Sequence, residues 1–254
     1  KYQRLDELQE KIQNFSTRVL KNDCLDLPEK VYTKRSVSLT GEQVKAYTEM
    51  KKAAITFFEE NVMTAASVLT QMIRLHQIIC GHVKTDDGEI KSIKSNRIKE
   101  LLEVLEETDG KVIIWAVYRY DIQQIEKTLG EKYGKDSVET YYGDTKDNLR
   151  QSIVDRFMDP NDNLRFFVGN PKTGGYGLTL TSSHTVVYYS NDYSLEVRLQ
   201  SEDRAHRIGQ TNKVTYVDLI TDNTIDEKIV KALNNKIDLA SQVMGEDPKK
   251  ILFS

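Results

Sequence analysis

The sequence is poor in the features that mark secreted, membrane-embedded or strongly charged proteins. Only two of its 254 residues are cysteine, Cys24 and Cys80, too few for a disulfide framework and in keeping with a reduced, cytosolic chain. No apolar run approaches the roughly 20 residues needed to span a bilayer. The N-terminal stretch KYQRLDELQEKIQNF is charged where a secretion signal would carry an apolar core, so no membrane partner is expected. The charges nearly cancel, 36 Lys and Arg against 39 Asp and Glu, for a formal net charge of -3. That total does not argue for nucleic acid, although it leaves room for a local basic face. Internal repeats and low-complexity segments are absent. The first residue is Lys1, not Met, as expected of a region excised from a longer protein. Cys80 lies close to His76 and His82 in RLHQIICGHVK. Three candidate ligands without a CxxC pair fall short of the four that structural zinc uses, so packing or surface roles are expected and no metal.

Hydrophobic residues make up 39% of the chain, enough for one large α/β domain or a core domain with a helical extension. The first 95 or so residues differ from the rest. Residues 1–20 read as a charged helix that Asp26-Leu27-Pro28 breaks, and Tyr32–Leu39 as a strand. Thr40 is placed to cap a helix with apolar positions at Val44, Tyr47, Ile55 and Phe58. A second helix is predicted from about Thr64 to Ile79, with Val68, Leu69, Met72, Ile73 and Leu75 needing burial, and KTDDGEIKS reads as an exposed turn or hairpin. From Ser95 onward helices and strands alternate. The run KVIIWAV (111–117) is nearly continuous in apolar residues, as a buried parallel strand is. Trp115 is expected in the core, and Tyr188 and Tyr189 in or beside the sheet. SVETYY, LRFFVG, TVVYYS and KVTYVDLI supply the other strands, the helix SLEVRLQSEDRAHRI lies between the last two, and a long final helix begins at TIDEKI. Repeated βα units imply right-handed crossovers and a parallel sheet of five or so strands covered on both faces.

Two stretches carry chemistry. GNPKTGGYGLTLTSS follows the LRFFVG strand, where open α/β sheets bind ligands. Glycines there permit either close approach to a phosphate or a turn with positive φ. The spacing matches neither GxGxxG nor GxxxxGK[ST]. In QSEDRAHRIGQ, a continuing helix would put Gln200, Asp203, Arg204 and Arg207 on one face. Two guanidiniums pointing the same way suit a phosphate, because each offers a planar fork of donors and keeps its charge. The other reading is a solvated helix whose Glu202 and Asp203 neutralise the arginines.

The run Gln200 to Gln210 (QSEDRAHRIGQ) resembles motif VI of Swi/Snf-type ATPases of helicase superfamily 2, and Lys172 to Thr181 (KTGGYGLTLT) resembles their motif V. KVIIWAVYRYDIQQIEKTL is similar to motif IV, and YYGDTKDNLRQSIVDRF to the block that follows it, with Gly143, Arg150 and Phe157 in register. LPEKVYTKRSVSLTGEQVKAYTEM resembles the segment joining the two lobes of such motors, and TIDEKI the bracing segment after motif VI. Order and spacing agree over roughly residues 28–235. The resemblance implies a RecA-like P-loop NTPase fold of the second-lobe type, a parallel sheet flanked by helices, with a helical lead-in. The implied divisions are a linker and lead-in over 1–95, the lobe over 96–224, and a bracing helix and tail over 225–254. It further implies that Arg207 is an arginine finger, that Arg204 approaches the triphosphate and that Gln200 positions the nucleotide. Gly175 and Gly177 would lie at the nucleotide, and Lys172, Thr173 and Thr179 would face DNA backbone; Arg119, at the C-terminal end of the KVIIWAV strand, is read from that place as facing the cleft and joins the DNA-facing set. Contacts of that kind position a duplex without reading its sequence. ATP and Mg²⁺ would be held mainly by a first RecA-like lobe, since no GKT, GKS or DEAH-like box occurs in this chain. The partners implied are that first lobe and double-stranded DNA.

The sequence departs from many eukaryotic relatives at motif V, where NPKTGG carries Pro171 and Thr179 stands in place of Asn, and it lacks the Trp-Asn-Pro before motif VI. In these respects it resembles prokaryotic and phage members. Three other readings stand beside the motor: a catalytically inert regulatory module of this fold, an RNA-directed helicase, and a Rossmann-type nucleotide enzyme.

Overall fold

The computed structural model describes residues 4–13, 15–16, 24–59, 65–85, 87–174 and 177–244. Helix α1 (Leu5–Gln13) leads to β1 (Lys30–Ser36), then α2 (Gly41–Glu59), α3 (Ala65–Cys80) and a hairpin of β2 (His82–Lys84) and β3 (Ile90–Ser92). The βα units follow: α4 (Arg97–Glu106), β4 (Lys111–Trp115), α5 (Arg119–Tyr133), β5 (Val138–Tyr141), α6 (Asp147–Met158) and β6 (Phe166–Gly169). A single turn, α7 (Pro171–Gly174), then precedes β7 (Ser183–Tyr188), α8 (Leu195–Glu202), β8 (Val214–Ile220) and α9 (Ile225–Met244). Of the helix expected over residues 1–20, Leu5–Gln13 is helical and most of the rest lies outside the described residues.

The main sheet has six strands in the order β1-β8-β7-β4-β6-β5, each pair parallel. This is the RecA-like α/β arrangement. The additional strand comes from the lead-in. Lys30 to Ser36 pairs residue for residue with Val214 to Ile220, so the lead-in contributes an edge strand as well as helices. Thr40 caps α2 reciprocally: its Oγ1 accepts from the Gln43 amide (3.3 Å), while Gln43 Oε1 accepts from the Thr40 amide (3.1 Å). Apolar burial on α2 and α3 is narrower than expected. Val44, Ile55, Leu69 and Ile73 are exposed, Leu75 is buried, and the side chains of Phe58 and Val68 lie outside the described residues.

Alternation along the strands builds a core on each face. Val112, Ile114, Phe166, Val168 and Val187 meet Leu101, Leu105, Ile122, Ile125 and Leu129 on one side. Ile113, Trp115, Phe167, Val186 and Tyr188 meet Ile153, Phe157 and Ala205 on the other. Trp115, Tyr188 and Tyr189 are all buried, as the sequence predicts. A third cluster joins α3 to α9 through Leu75, Ile79, Ile225, Ile229 and Leu233.

A buried cation pins these parts together. Arg97, fully buried on the apolar face of α4, donates to the carbonyls of Tyr189 (2.6 Å) and Leu219 (3.2 Å) and to Thr221 Oγ1 (2.9 Å), and it pairs with Asp226 of α9. His76 of α3 lies 3.4 Å from the same carboxylate and 2.9 Å from the Tyr118 hydroxyl. His82 pairs instead with Asp121 at 3.1 Å, and Cys80 packs in the third cluster. Burial pushes the Asp226 carboxyl upward. The charge of Arg97 and the bonds from His76 and the Thr221 amide outweigh it, leaving that carboxyl well below the usual carboxylate range.

Replacing Arg97 with Leu strands Asp226 as a buried, unpaired charge and is expected to lower stability by roughly 3–5 kcal/mol in urea unfolding. A depressed folded pKa contributes stability that is complete above the ordinary carboxylate value and is lost as pH falls through the folded value. The wild-type chain should therefore hold its stability from neutral pH down to about pH 4 as far as this group is concerned and lose it below, with a shallower acid limb in Arg97→Leu.

Candidate functional site

A parallel sheet brings the C-terminal end of every strand to one edge, and four loops meet there. Cross-links hold them in register. Asn170, after β6, donates its side-chain amide to the Val117 carbonyl beyond β4 (2.8 Å), and the Val117 amide donates to Ser190 Oγ beyond β7 (2.9 Å). Two exposed cations stand on this edge. Arg119, at the start of α5, pairs with Asp144 at 2.8 Å, and Lys172, in α7, pairs with Asp192 at 2.9 Å. Each cation bridges to a loop from a different strand, so a phosphate reaching either one has to displace a carboxylate. The Thr173 amide is engaged by the Asn170 carbonyl at 3.1 Å.

The glycines after β6 divide their work. A Cβ on Gly174 would lie 2.6 Å from the Trp115 ring, and one on Gly169 would lie 2.8 Å from it. The indole leaves no room for a Cβ at either position. Gly177 is exposed with φ +78° and has open space where a side chain would be. Gly175 lies outside the described residues.

The helix expected to carry Gln200, Asp203, Arg204 and Arg207 on one face stops at Glu202. Residues 203–209 form successive turns, with the Ala205 and His206 amides both bonded to the Glu202 carbonyl. Tertiary contacts end the helix. Gln210 Nε2 lies within hydrogen-bond distance of the carbonyls of Thr181 (3.2 Å), Ser183 (2.9 Å) and Ala205 (3.1 Å), drawing the chain toward the loop before β7. The Leu180 amide donates to the Arg204 carbonyl at 2.9 Å, tying the segments around Leu178 and Arg204 together.

The arginines still converge. Arg204 Nη1 lies 3.2 Å and Arg207 Nη1 3.5 Å from the same oxygen, the Leu178 carbonyl, and Arg204 Nε donates to the Gln200 carbonyl at 2.9 Å. Thr179, half-buried, is therefore flanked by residues that hold the arginine pair. The Gln200 side chain itself is engaged by Glu196 at 3.0 Å. Burial, and then the charge of Arg207, pull the Arg204 guanidinium below its ordinary value, with Asp203 countering in part. It keeps its charge at neutral pH nonetheless. Arg207 is exposed and has no carboxylate partner among the described residues.

Glu202 does not neutralise this pair. It turns inward, 2% exposed, to accept from Arg198 Nε (2.7 Å) and the Tyr32 hydroxyl (2.7 Å), with Lys30 Nζ at 3.5 Å. Glu202, His206 and Gln210 are structural parts of the site that spacing alone did not single out.

The description helicase conserved C-terminal domain matches residues 93–209. A putative ATP-dependent helicase/translocase of Bacillus subtilis, YwqA, is 30% identical over 258 residues, covering 96% of this chain. The SWI/SNF chromatin-remodeling complex subunit snf22 of Schizosaccharomyces pombe is 29% identical over 256 residues and 94% of the chain. Among solved structures, a Sulfolobus solfataricus SWI2/SNF2 ATPase core in complex with dsDNA superposes with a TM-score of 0.67 at 25% identity, covering 98% of this chain and 54% of that one. The chain is a C-terminal, RecA-like lobe of the SWI2/SNF2 family. The lobe spans 27% of the bacterial relative and 15% of the fission-yeast one. Because these relatives come from a bacterium, an archaeon and a fungus, the family does not place the lobe on one side of that division. No described helix of the lobe is long and apolar enough to cross a membrane.

Gly174→Ala tests the fixed seat of the loop in this SWI2/SNF2 lobe. The added methyl must displace the Trp115 ring or the backbone, and a loss of about 1–3 kcal/mol is expected in urea unfolding, with a changed Trp115 fluorescence. Gly177→Ala, with open space but positive φ, should cost about 1 kcal/mol and leave Trp115 fluorescence unchanged.

Proposed function

We propose that this lobe completes an ATP site shared with a first RecA-like lobe of the same protein, and that together they form an ATP-driven translocase on double-stranded DNA. The observation that carries the proposal is the arginine pair. Two like charges converge on one carbonyl oxygen, the outer one exposed and without a carboxylate partner among the described residues. Such a doublet is held at an electrostatic cost that a polyanion relieves, and a triphosphate crossing from the facing lobe is a ligand of that kind. On this reading Arg207 is the arginine finger, Arg204 supports it against the triphosphate and Gln200, released from Glu196, positions the nucleotide. Gly175 and Gly177 let the loop backbone approach.

ATP and Mg²⁺ would be held mainly by the first lobe, which would supply the phosphate-binding loop and the acidic metal ligands. Lys172, Thr173, Thr179 and Arg119 are read as the DNA-facing set. Similarity to a SWI2/SNF2 core that was solved with dsDNA supports this over an RNA-directed motor. The exposed cations of the pairs with Asp144 and Asp192 would exchange carboxylate for phosphate, and the counterions this releases from the DNA would make its affinity fall with salt. Residues 1–95 act as linker and lead-in, 96–224 as the lobe, and 225–254 as brace and tail. β1 of the first segment is nevertheless hydrogen-bonded into the lobe's sheet.

Two outcomes check this. The 254-residue chain alone should show no metal-dependent ATP hydrolysis above buffer. In the two-lobe protein, duplex DNA should stimulate hydrolysis, and Arg207→Ala should lower kcat by a factor on the order of a thousand while nucleotide still binds. Stimulation by duplex RNA in preference to DNA would favour the rival helicase, and an unchanged kcat in Arg207→Ala would refute the finger assignment.

A further inference from the structure

The arginines sit in turns, so helical geometry does not fix them. Much of what fixes them comes from the far end of the chain. The residue before Arg207, His206, is buried, and its Nε2 lies 2.7 Å from the Pro28 carbonyl. Glu202, the last residue of α8, receives the Tyr32 hydroxyl at 2.7 Å and has Lys30 Nζ at 3.5 Å, while Asp203 lies 4.0 Å from that same ammonium. The Tyr32 ring stacks on Tyr216 at 5.2 Å, and the Tyr216 hydroxyl donates to the Glu202 carbonyl at 3.0 Å. The Val214 amide, just beyond the arginine turns, donates to the Glu29 carbonyl at 3.1 Å. Residues 28–32 therefore grip residues 202–206 through the Pro28 carbonyl, the Lys30 and Tyr32 side chains and the backbone register of β1 on β8.

We infer that Tyr32 and His206 are positioning residues, and that the strand leading into the lobe sets where Arg204 and Arg207 stand. This rests on the functional reading above. Residues 28–32 belong to the segment read as the linker between lobes. A pull on that segment then reaches the arginines through Pro28–His206 and Tyr32–Glu202. Burial, and then the charge and hydrogen bond of Glu202, hold the Tyr32 hydroxyl protonated far above neutral pH, so the donor is always present.

The test uses Tyr32→Phe, which keeps the ring stacked on Tyr216 and removes only the donor. Lys34→Ala is the control, since Lys34 is on the same strand but points to solvent and faces Asp222 at 3.8 Å. Hydrogen–deuterium exchange on the 254-residue chain should show residues 203–209 exchanging about ten-fold faster in Tyr32→Phe and at the wild-type rate in Lys34→Ala. In the two-lobe protein, Tyr32→Phe should lower kcat about ten-fold with KM for ATP within about two-fold, because geometry at the reacting phosphate is lost and binding is not. Wild-type exchange at 203–209 in Tyr32→Phe, equal acceleration in Lys34→Ala, or faster exchange with an unchanged kcat would each overturn the inference. Faster exchange in Tyr32→Phe combined with no DNA-stimulated hydrolysis by the wild-type two-lobe protein would overturn the functional reading and leave the tether standing.

Discussion

Parallel pairing throughout a six-stranded sheet constrains everything else in this lobe. It sends the chain out of β4, β5, β6 and β7 at the same edge, and each exit must be followed by a return segment long enough to start the next strand. The returns cover both faces, which is why the strands are apolar on both sides. The exits crowd together, which is why Asn170 and Ser190 are spent on tying loops to Val117. Arg119 and Lys172 stand on this crowded edge, each bridged to a neighbouring loop by Asp144 or Asp192. Exposed pairs of this kind contribute little to stability, so they are free to exchange a carboxylate for a phosphate.

The arginine pair is built on a different principle. Two guanidiniums near one carbonyl repel each other, and Arg204 registers this together with its burial as a lowered proton affinity. The surrounding structure supplies what offsets that repulsion. Gln210 binds three carbonyls, the Leu180 amide binds the Arg204 carbonyl, and Glu202 and His206 reach back to the lead-in strand. A polar string in which most members are individually satisfied can hold one member, Arg207, outward. In this sense the site is preorganised, because the cost of bringing the charges together is met on folding and not when an anion arrives.

Much of this was legible from the sequence, and the exceptions have physical causes. The strand at KVIIWAV and its buried Trp115 followed from an uninterrupted apolar run, and the parallel sheet from strands alternating with amphipathic helices in repeated βα units. The end of α8 at Glu202 was not legible. Arg204 and Ala205 favour helix and Asp203 opposes it only weakly, so the stop comes from tertiary bonds, those of Gln210 to distant carbonyls and that of the Leu180 amide to Arg204. β1 read as a strand, but its place beside β8 is a long-range pairing that local pattern does not encode. Arg97 was missed despite a signal. It falls with Leu101, Val104 and Leu105 on one stripe of α4, and a charge on an apolar stripe implies a buried partner, here Asp226. The exposure of Val44, Ile55, Leu69 and Ile73 marks the opposite error, an apolar pattern without a described element to cover it.

On the proposed function, Arg204 and Arg207 act on the transferring phosphoryl group more than on the bound nucleotide. The direct measurement is the affinity of the two-lobe protein, with duplex DNA present, for ADP alone and for ADP with aluminium fluoride, in the wild type and in an Arg204→Ala, Arg207→Ala double variant. ADP affinity is expected to change little, whereas the tighter binding brought by aluminium fluoride is lost by about two orders of magnitude or more. Equal losses for both ligands would make the arginines simple nucleotide contacts, and no loss for either would remove them from the ATP site altogether.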